Sequence, residues 1–337
     1  MDCDIIIPVW NQQLLTKDCL DSIFANTDPG YGIIVVDNAS AADTKSYLED
    51  VKRKSIAPFV LIRNEVNLGF IKAVNQGIVA SKARHVCLLN NDTIVTKGWL
   101  EAMVEAAESS PEIGIVNPSS NNLGQKPAKG ESIALYAKKF RNSAVKIAEM
   151  ATAIGFCMLI KRGVIEKIGL FDEIYGMGNF EDTDFSRRAL KAGYRVVRAA
   201  RSYVYHRENS SFKFRKDFED AFRRNREIYE LRWGKPRRVA YILDSYDAAV
   251  VKRLGSDSMK LARGGDLVFY FFVGQPAIPE HSNIIKIKMQ EDRFRIDALF
   301  GILKKKKKFS EIFVRDEKLR SILNYLKFIH KAEIRYY

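Results

Sequence analysis

The chain has 337 residues, of which 47% are hydrophobic, and it carries a formal net charge of +14. This composition excludes an intrinsically disordered protein, and the length is sufficient for a full core and for more than one domain. The positive charge favours anionic partners, namely nucleic acid, phosphorylated substrates or an acidic membrane face, without choosing among them.

Targeting signals and cysteines limit the cellular setting. No basic segment precedes the first apolar run at residues 5–7. The longest apolar run, residues 267–273, is far shorter than the roughly 20 residues of a membrane span. The cysteines stand singly among apolar neighbours with no CxxC pair, which favours buried free thiols over a disulfide or zinc framework. They are Cys3, Cys19, Cys87 and Cys157. We therefore expect a cytoplasmic protein.

The first third of the chain alternates between strand-like and helix-like segments, up to about residue 117. The apolar strand candidates are CDIIIPVW, YGIIVVDN, FVLIR, HVCLL and IGIVNP. Helices are predicted over residues 12–25, from about residue 41, over residues 69–80 and near residues 99–108. Strands that are apolar throughout and joined by helices predict a parallel, doubly wound sheet with both faces covered.

Polar side chains follow four of these strands. The most abrupt change is in LLNNDTIV, where two asparagines and an aspartate end an apolar run and are costly to bury unless something binds them. Ligands of open parallel sheets bind beyond the carboxyl ends of the strands, so we expect these groups to form one site. They are residues 8–11, 37–38, 63–64 and 90–92.

The middle of the chain is less regular. Residues 118–150 are rich in Ser, Asn, Gly and Lys and predict a mobile loop. A strand in ATAIGFCMLIKR, a short helix over residues 162–168, a helix over about 182–191, a strand after Gly193 and a further short strand SYVYH follow. A long basic helix then carries aromatic side chains at helical spacing, and these are predicted to pack into the core: Phe214, Phe218, Phe222, Tyr229 and Trp233.

The segment WGKPRR at residues 233–238 predicts a domain boundary. We expect one domain over residues 1–235, with a junction between residues 117 and 118, and a small α/β unit over residues 236–337. The strands predicted in the small unit are RVAYILD, DLVFYFFV, NIIKIKM, EIFVR and AEIRYY. The lysine run at residues 304–308 is typical of a solvated helix end.

Carboxylates and a histidine stand near the predicted strand ends. Asp92 and His206 are types of side chain that bind metal ions, although a lone aspartate after a strand is more often a helix cap and a lone histidine there is usually structural. Glu181, Asp182 and Asp184 open a predicted helix, where capping and the helix dipole explain acidic residues well. The functional alternative is a general base whose pKa is raised by its acidic neighbours.

Taken in series, the motifs resemble those of family-2 glycosyltransferases of the A-type fold, which use nucleotide sugars. The resembling segments keep the family's order over about residues 3–212: IIIPVWNQ, IIVVDNAS, NEVNLGFIKAVNQGI, LLNNDTIV, IGFCMLIKR, GNFEDTDFSRRALKAGYRV and YHRENSSF. Within the family the chain is most similar to bacterial rhamnosyltransferases and related enzymes of polysaccharide and cell-envelope biosynthesis. The resemblance implies an α/β fold with a mostly parallel, Rossmann-like sheet, a nucleotide-binding half over residues 1–117 and an acceptor-side half over residues 118–235.

The resemblance also implies roles for individual residues. Asn90, Asn91 and Asp92 occupy the place of the family's DxD motif, whose last aspartate binds Mg²⁺ or Mn²⁺, and Asn90 departs from that motif. His206 resembles a late histidine that completes the metal site. Asp37 corresponds to the residue that binds the pyrimidine base, and Asp182 to the catalytic base, with Glu181 as its rival. The remaining donor-binding candidates are Pro8, Val9, Asn11, Asn38, Arg63, Asn67, Asn75 and Asn91.

The implied reaction is inverting transfer of a sugar from a UDP- or dTDP-sugar to a hydroxyl of a glycan or lipid-linked glycan acceptor. Asp182 would deprotonate that hydroxyl, and a divalent ion would stabilise the leaving diphosphate. The arginines of the basic helix are then free to face an anionic membrane at the inner face of the cell membrane, although a merely solvated basic face fits as well. They are Arg223, Arg224, Arg226 and Arg232.

Other classes remain open from the sequence. A nucleic-acid-binding protein would use the basic segments but gives no reason for Asp92, Asp182 and His206, so we expect no nucleic-acid partner. A nucleotidyltransferase normally needs a glycine-rich phosphate loop, where this chain has PVWNQQLL. A catalytically impaired nucleotide-sugar-binding module stays open because of Asn90. The small unit faintly resembles the opening of a B-type glycosyltransferase domain, and a stabilising appendage is the favoured interpretation.

Overall fold

The computed structural model describes residues 2–207, 218–244, 247–304 and 308–337. Two compact units divide the chain: Met1–Ala148 with Thr152–Trp233, and Glu149–Ala151 with Gly234–Tyr337. Strands up to residue 206 are β1 (Cys3–Val9), β2 (Tyr31–Asp37), β3 (Phe59–Arg63), β4 (His85–Leu89), β5 (Thr93–Val95), β6 (Ile113–Ser119), β7 (Ile147–Met150), β8 (Cys157–Lys161) and β9 (Arg195–His206). Helices up to residue 233 are α1 (Gln13–Asn26), α2 (Ala42–Lys54), α3 (Phe70–Ala80), α4 (Trp99–Glu108), α5 (Ile133–Arg141), α6 (Arg162–Ile168), α7 (Glu181–Lys191) and α8 (Phe218–Trp233).

The sheet of the first unit has the order β3-β2-β1-β4-β8-β6-β9-β5. β1, β2, β3 and β4 run parallel, as do β6 and β9. β8 is antiparallel to both β4 and β6, and β5 is antiparallel to β9. The prediction of a mostly parallel α/β sheet is therefore confirmed.

Burial explains why these segments are strands. All five residues of β4 are buried, and β1 is buried at five of its seven positions, as expected for central strands covered on both faces. Ile5, Ile7 and Val9 of β1 belong to the same core cluster as Leu20 and Ile23 of α1. Each such aliphatic side chain contributes about 1.5–3 kcal/mol through burial. The four cysteines are free and buried within this unit.

Register brings the polar strand ends together. Val9 of β1 pairs with Asp37 of β2, and Asp37 pairs in turn with Arg63 of β3. Because neighbouring strands lie about 4.8 Å apart, residues that follow these positions line a single edge of the sheet. This edge is the carboxyl edge, where the candidate site lies.

Two predictions for the middle of the chain are wrong. Residues 118–150 contain a short 3₁₀ turn (Asn121–Leu123), α5 and β7 instead of one loop. Tyr136 and Phe140 of α5 pack their rings against Tyr203 at 5.3 and 4.9 Å, a tertiary contact that leaves no periodic signal in a polar segment. The two strands predicted after Gly193 are one strand, β9, of 12 residues. Its register against β6 shifts at Pro118, which accounts for the apparent break.

The basic helix α8 only partly fulfils its prediction. Tyr229 is buried, whereas Phe222 is 41% exposed, so the aromatic stripe packs on one side only. Phe214 lies outside the described residues. Arg232 donates to Asp184 and Asp172, both at 2.8 Å. The prediction that Arg232 is free to face a membrane is therefore wrong, because a buried aspartate holds its guanidinium.

The second unit has a five-stranded sheet with order β12-β11-β10-β13-β14, and all its strand pairs are parallel. Its strands are β10 (Arg238–Leu243), β11 (Leu267–Phe272), β12 (Ile284–Lys288), β13 (Glu311–Val314) and β14 (Glu333–Arg335). Its helices are α9 (Ala248–Arg263), α10 (Phe294–Leu303), α11 (Glu317–Tyr325) and α12 (Lys327–His330). Separate apolar clusters pack α9 against one face and α10 with α11 against the other. Across both units, none of the helices in the described ranges is long and apolar enough to span a membrane.

Candidate active site

The end of β4 turns directly into the metal-ligand candidates. Asn90 donates its backbone N–H to Phe156 O at 2.8 Å, and Asn91 donates its side chain to Thr16 Oγ1 at 2.9 Å. The chain then enters β5, whose Thr93 pairs with His206 at the end of β9. This pairing sets His206 Nε2 3.0 Å from Asp92 Oδ1. Two residues that are 114 positions apart in the sequence thus share one hydrogen bond.

Asp92 and His206 fit a divalent metal ion. The Asp92 residue is 7% exposed and the His206 side chain 11%, so both are largely shielded while their polar atoms face one another. Carboxylate oxygen and imidazole nitrogen are both ligands for Mn²⁺, and Mg²⁺ favours the carboxylate. Among the described residues, no cluster of three or more His, Cys, Asp or Glu side chains surrounds a common point. A metal ion here would therefore take most of its ligands from diphosphate oxygens and water.

A cavity of about 380 Å³ extends from His206, the partner of Asp92, to the acidic start of α7. Its volume lies within the usual range for small-molecule sites. The lining residues include Phe70, Asn90, Asn122, Gly155, Phe156, Asn179, Phe180, Glu181, Asp182, Thr183, His206 and Phe222. Carboxylates, an imidazole and aromatic rings therefore face the same small volume.

The two adjacent carboxyls at the start of α7 have different environments. Asp182 accepts hydrogen bonds from Gly155 N at 2.9 Å, and from Thr183 N and Thr183 Oγ1 at 2.6 and 3.1 Å. Glu181 is 7% exposed, and its Oε2 has no hydrogen-bond partner among the described residues. Burial, together with the charge of Asp182, raises the pKa of Glu181 to about 8. Burial also raises the pKa of Asp182, against the opposing effect of its hydrogen bonds.

A strained turn presents these carboxyls to the cavity. Asn179 and Phe180, which precede α7, both have left-handed backbone conformations with φ of 74° and 72°. Such conformations are costly for residues other than glycine and are maintained only by their surroundings. Asn225 of α8, which is fully buried, supplies that support by donating to the carbonyls of Tyr175 and Gly178, both at 2.8 Å. Sequence analysis missed Asn225, which carries no signal in a charged helix.

The ends of β1, β2 and β3 form a second group of predicted site residues. Asp37 is fully buried, accepts from Ser40 N at 2.9 Å through Oδ1, and pairs with Arg63 through Oδ2. Arg63 also donates to Ser40 O at 2.9 Å. Asn11 donates its N–H to Ser40 Oγ at 2.8 Å and accepts from Ala41 N at 2.7 Å. Ser40, which was not predicted, organises this group.

The amide side chains at this edge bond mainly to one another. Asn38 Nδ2 donates to Asn67 Oδ1 at 2.7 Å, and Asn67 Oδ1 also accepts from Gly69 N at 2.9 Å. Asn38 N donates to Val9 O at 2.8 Å, where Val9 is buried and its neighbour Pro8 is partly exposed. These bonds shape the loop that leads into α3, whose Phe70 lines the cavity.

Asn75 lies apart from these groups. Its Nδ2 donates to Phe171 O at 2.9 Å, and its Oδ1 accepts from Phe171 N at 3.1 Å. Asn75 Nδ2 also lies 3.3 Å from Glu173 Oε1. The side chain therefore ties α3 to the loop before α7, and its hydrogen-bonding capacity is used within the protein.

The glycosyl transferase family 2 model matches residues 4–169 of the chain. The chain contains a family 2 glycosyltransferase domain. The family predicted from the sequence motifs is thus confirmed.

Curated relatives agree with this assignment. The chain is 24% identical over 212 residues to the glycosyltransferase EpsJ of Bacillus subtilis, covering 61% of the chain and 60% of EpsJ. It is 27% identical over 197 residues to the glycosyltransferase AglE of Haloferax volcanii, covering 57% and 62%. It is 25% identical over 171 residues to the poly-β-1,6-N-acetyl-D-glucosamine synthase of Staphylococcus epidermidis, covering 50% and 41%. The chain thus spans less than two thirds of the length of each of these relatives.

Solved structures establish the fold. The mannosyltransferase PcManGT from Pyrobaculum calidifontis, in complex with GDP-Man and Mn²⁺, has a TM-score of 0.51 at 17% identity and covers 63% of the chain and 59% of its own length. GalNAc-T7 with UDP, GalNAc and Mn²⁺ has a TM-score of 0.54 at 16% identity, covering 68% and 48%. The A-type glycosyltransferase fold is thereby confirmed.

Proposed function

We propose that the first unit is an inverting, metal-assisted glycosyltransferase that moves a sugar from a UDP- or dTDP-sugar to a hydroxyl of a glycan or lipid-linked glycan. The observation that carries this proposal is one cavity that holds both halves of the required chemistry. His206, hydrogen-bonded to Asp92, faces it from one side, and Glu181 and Asp182 face it from another.

Asp92 and His206 would hold the divalent ion, and when bound this ion neutralises charge on the departing diphosphate. The acceptor oxygen attacks the anomeric carbon as the bond from that carbon to the β-phosphate oxygen breaks. The acceptor proton passes to the Asp182 carboxylate. Because a single displacement takes place, the configuration at the anomeric carbon inverts, and no covalent nucleophile on the protein is required.

Asp182 suits the base role better than Glu181. Burial raises the pKa of Asp182, but its carboxylate accepts three hydrogen bonds from Gly155 and Thr183, which oppose that rise and favour the ionised form that a base requires. Glu181, with a pKa of about 8, is mostly protonated at neutral pH and is able to donate a hydrogen bond to a substrate oxygen. Environments that separate two neighbouring carboxyls in this way are a common basis for distinct acid and base roles.

We propose that Asp37 recognises the pyrimidine ring of the donor nucleotide. Uracil and thymine carry an N3–H donor, which a carboxylate accepts, whereas cytosine lacks that donor and purines are larger. Asp37 is already bonded to Ser40 and Arg63, but a carboxylate has about four acceptor positions. The Arg63 guanidinium is 32% exposed at the same place and is available to the nucleotide.

Calorimetry of nucleotide binding tests the proposal. UDP and dTDP should bind in the presence of Mn²⁺ and lose most of their affinity in EDTA, and Asp92→Asn and His206→Ala should reproduce the effect of EDTA. Asp50→Asn, a change in a carboxylate of α2 that is 44% exposed, is the matched control and should bind as the wild type does. Affinity that is indifferent to chelation and to both variants would contradict the metal assignment.

A second assay separates an enzyme from a binding module. Asn90 lines the cavity where the family motif has an aspartate, which favours weaker metal binding than usual. Release of UDP from a UDP-sugar in the presence of Mn²⁺ supports an active transferase. Metal-dependent binding with no release, across a panel of UDP- and dTDP-sugars and acceptors, supports the catalytically impaired module instead.

A further inference from the structure

The imidazole of His206 is fixed from several directions. Asn121 Oδ1 accepts from His206 N at 2.8 Å, and Asn121 Nδ2 donates to His206 O at 2.8 Å. The ring of Phe156 stacks on the imidazole with centroids 5.1 Å apart and planes 15° from parallel. The backbone and the ring plane of His206 are therefore set before any ligand binds, and the position of its ring proton is the remaining freedom.

The second ring nitrogen faces Asn122, at the 3₁₀ turn that follows β6. Asn122 Nδ2 lies 2.8 Å from His206 Nδ1. An amide N–H donates, so Nδ1 accepts, and the ring proton lies on Nε2, where it is donated to Asp92. In this tautomer Nε2 has no lone pair to offer a metal ion.

Binding of a metal ion at Nε2 requires the other tautomer. The proton must then lie on Nδ1, and ligating histidines almost always donate this N–H to an acceptor. Asn122 has such an acceptor close by, because its Oδ1 is buried without a hydrogen-bond partner among the described residues. A half-turn of the side-chain amide exchanges its nitrogen and oxygen with little change in shape.

We propose that Asn122 is a positioning residue that selects the tautomer of His206. Its amide donates to Nδ1 while His206 is hydrogen-bonded to Asp92, and it accepts from Nδ1–H when Nε2 binds the ion. This inference rests on the proposed function, because it requires Asp92 and His206 to hold a divalent metal ion. A carboxamide suits the role because it carries both a donor and an acceptor at its tip.

Mn²⁺ binding to the full chain, followed by electron paramagnetic resonance without a sugar substrate, tests the proposal. Asn122→Leu is nearly isosteric but neither donates nor accepts, and it should weaken Mn²⁺ binding by about 10- to 100-fold, as is typical for loss of a partner to a metal ligand. Its melting temperature should change little, because the loss of the hydrogen bond from Nδ2 to His206 Nδ1 is offset by removal of a buried oxygen that has no partner among the described residues. Asn122→Asp, whose carboxylate accepts from Nδ1–H, should restore the affinity.

The tautomer itself is measured by ¹⁵N NMR of histidine-labelled protein, with Zn²⁺ as the diamagnetic probe and His206→Ala to assign the signals. The wild type should carry its proton on Nε2 without metal and on Nδ1 with Zn²⁺, whereas Asn122→Asp should have Nδ1 protonated before metal is added. An Nδ1 that stays unprotonated in Asn122→Asp would overturn the proposal even if Asn122→Leu failed to fold.

The outcomes separate this inference from the proposed function. Wild-type Mn²⁺ affinity in Asn122→Leu, beside lost affinity in His206→Ala, overturns the role of Asn122 and leaves the metal site intact. Wild-type affinity in both variants overturns the metal site itself, and with it the metal-assisted function.

Discussion

Replacement of Glu181 by glutamine should remove much of the pH dependence of folding stability between about pH 5 and pH 8. Burial and the charge of Asp182 raise the pKa of Glu181 in the folded protein to about 8, compared with 4.5 for an exposed glutamate. Below pH 4.5 the carboxyl is protonated in both the folded and the unfolded chain, so its raised pKa does not change the free energy of unfolding. As the pH rises, the unfolded chain ionises first, so the folded state loses stability until the pH passes about 8.

The size of the effect follows from the two pKa values. Each pH unit in this window changes the free energy of unfolding by about 1.4 kcal/mol, so the whole rise in pKa corresponds to a few kcal/mol, on the order of 3–5. Glutamine cannot ionise, so Glu181→Gln should be more stable than the wild type above pH 8 by an amount of this order. The gain should shrink as the pH falls to 5 and should vanish below pH 4.5, where the carboxyl is neutral in both the folded and the unfolded chain.

Urea unfolding at pH 5, 6, 7 and 8.5 gives the free energies required. The matched control is Glu65→Gln, a change in an exposed carboxylate, which should leave the pH profile parallel to that of the wild type. If Glu181→Gln were also parallel to the wild type across this range, Glu181 would be ionised in the folded protein. The distinction drawn between the two carboxyls of the cavity would then be wrong.

Three further predictions concern the donor, the base and the basic helix. Asp182→Asn should keep donor affinity and lower turnover by roughly 10²–10⁴, the usual contribution of general base catalysis. An inactive Glu181→Gln enzyme together with a fully active Asp182→Asn enzyme would assign the base role to Glu181. Asp37→Ala should weaken UDP binding in calorimetry by about 1.5–3 kcal/mol, and equally effective competition by GDP would refute the selection of a pyrimidine. The fraction of protein that floats with anionic liposomes should fall when Arg223 and Arg224 are both changed to Gln. Binding that does not depend on lipid charge would refute the membrane proposal.

The sequence predicted the parts of the molecule that depend on local pattern. The bounds of α4 and α6 match those expected, because a glycine or a polar residue ends each apolar period cleanly. The carboxyl-edge location of Asp37 and Asp92 follows from the parallel sheet. The sequence also predicts the pairing of Asp92 with a distant histidine, although only through the resemblance to a family.

The failures share a physical cause, which is dependence on contacts between distant segments. The helix α5 forms in a polar stretch because its aromatic rings find Tyr203 across the fold. Asn75, a donor-binding candidate from the family motif, bonds to Phe171, 96 positions away, a contact that the sequence does not reveal. Asn122 and Asn225 act on residues 84 and about 50 positions distant, and nothing in their own neighbourhoods marks them. Hydrogen-bonding partners of single amides leave no periodic trace in a sequence.

The left-handed turn at Asn179 and Phe180 bears on how the protein can evolve. Glycine at Phe180 would relieve backbone strain of about 1–2 kcal/mol. The same change would remove the ring that contacts Phe222 and Tyr229 at 5.2 and 5.5 Å. The segment ahead of Glu181 and Asp182 would then sample many conformations instead of one. The ring contacts of Phe180 therefore offset the cost of its backbone conformation, and selection for a stable fold and selection for catalysis both favour keeping a large side chain at this position.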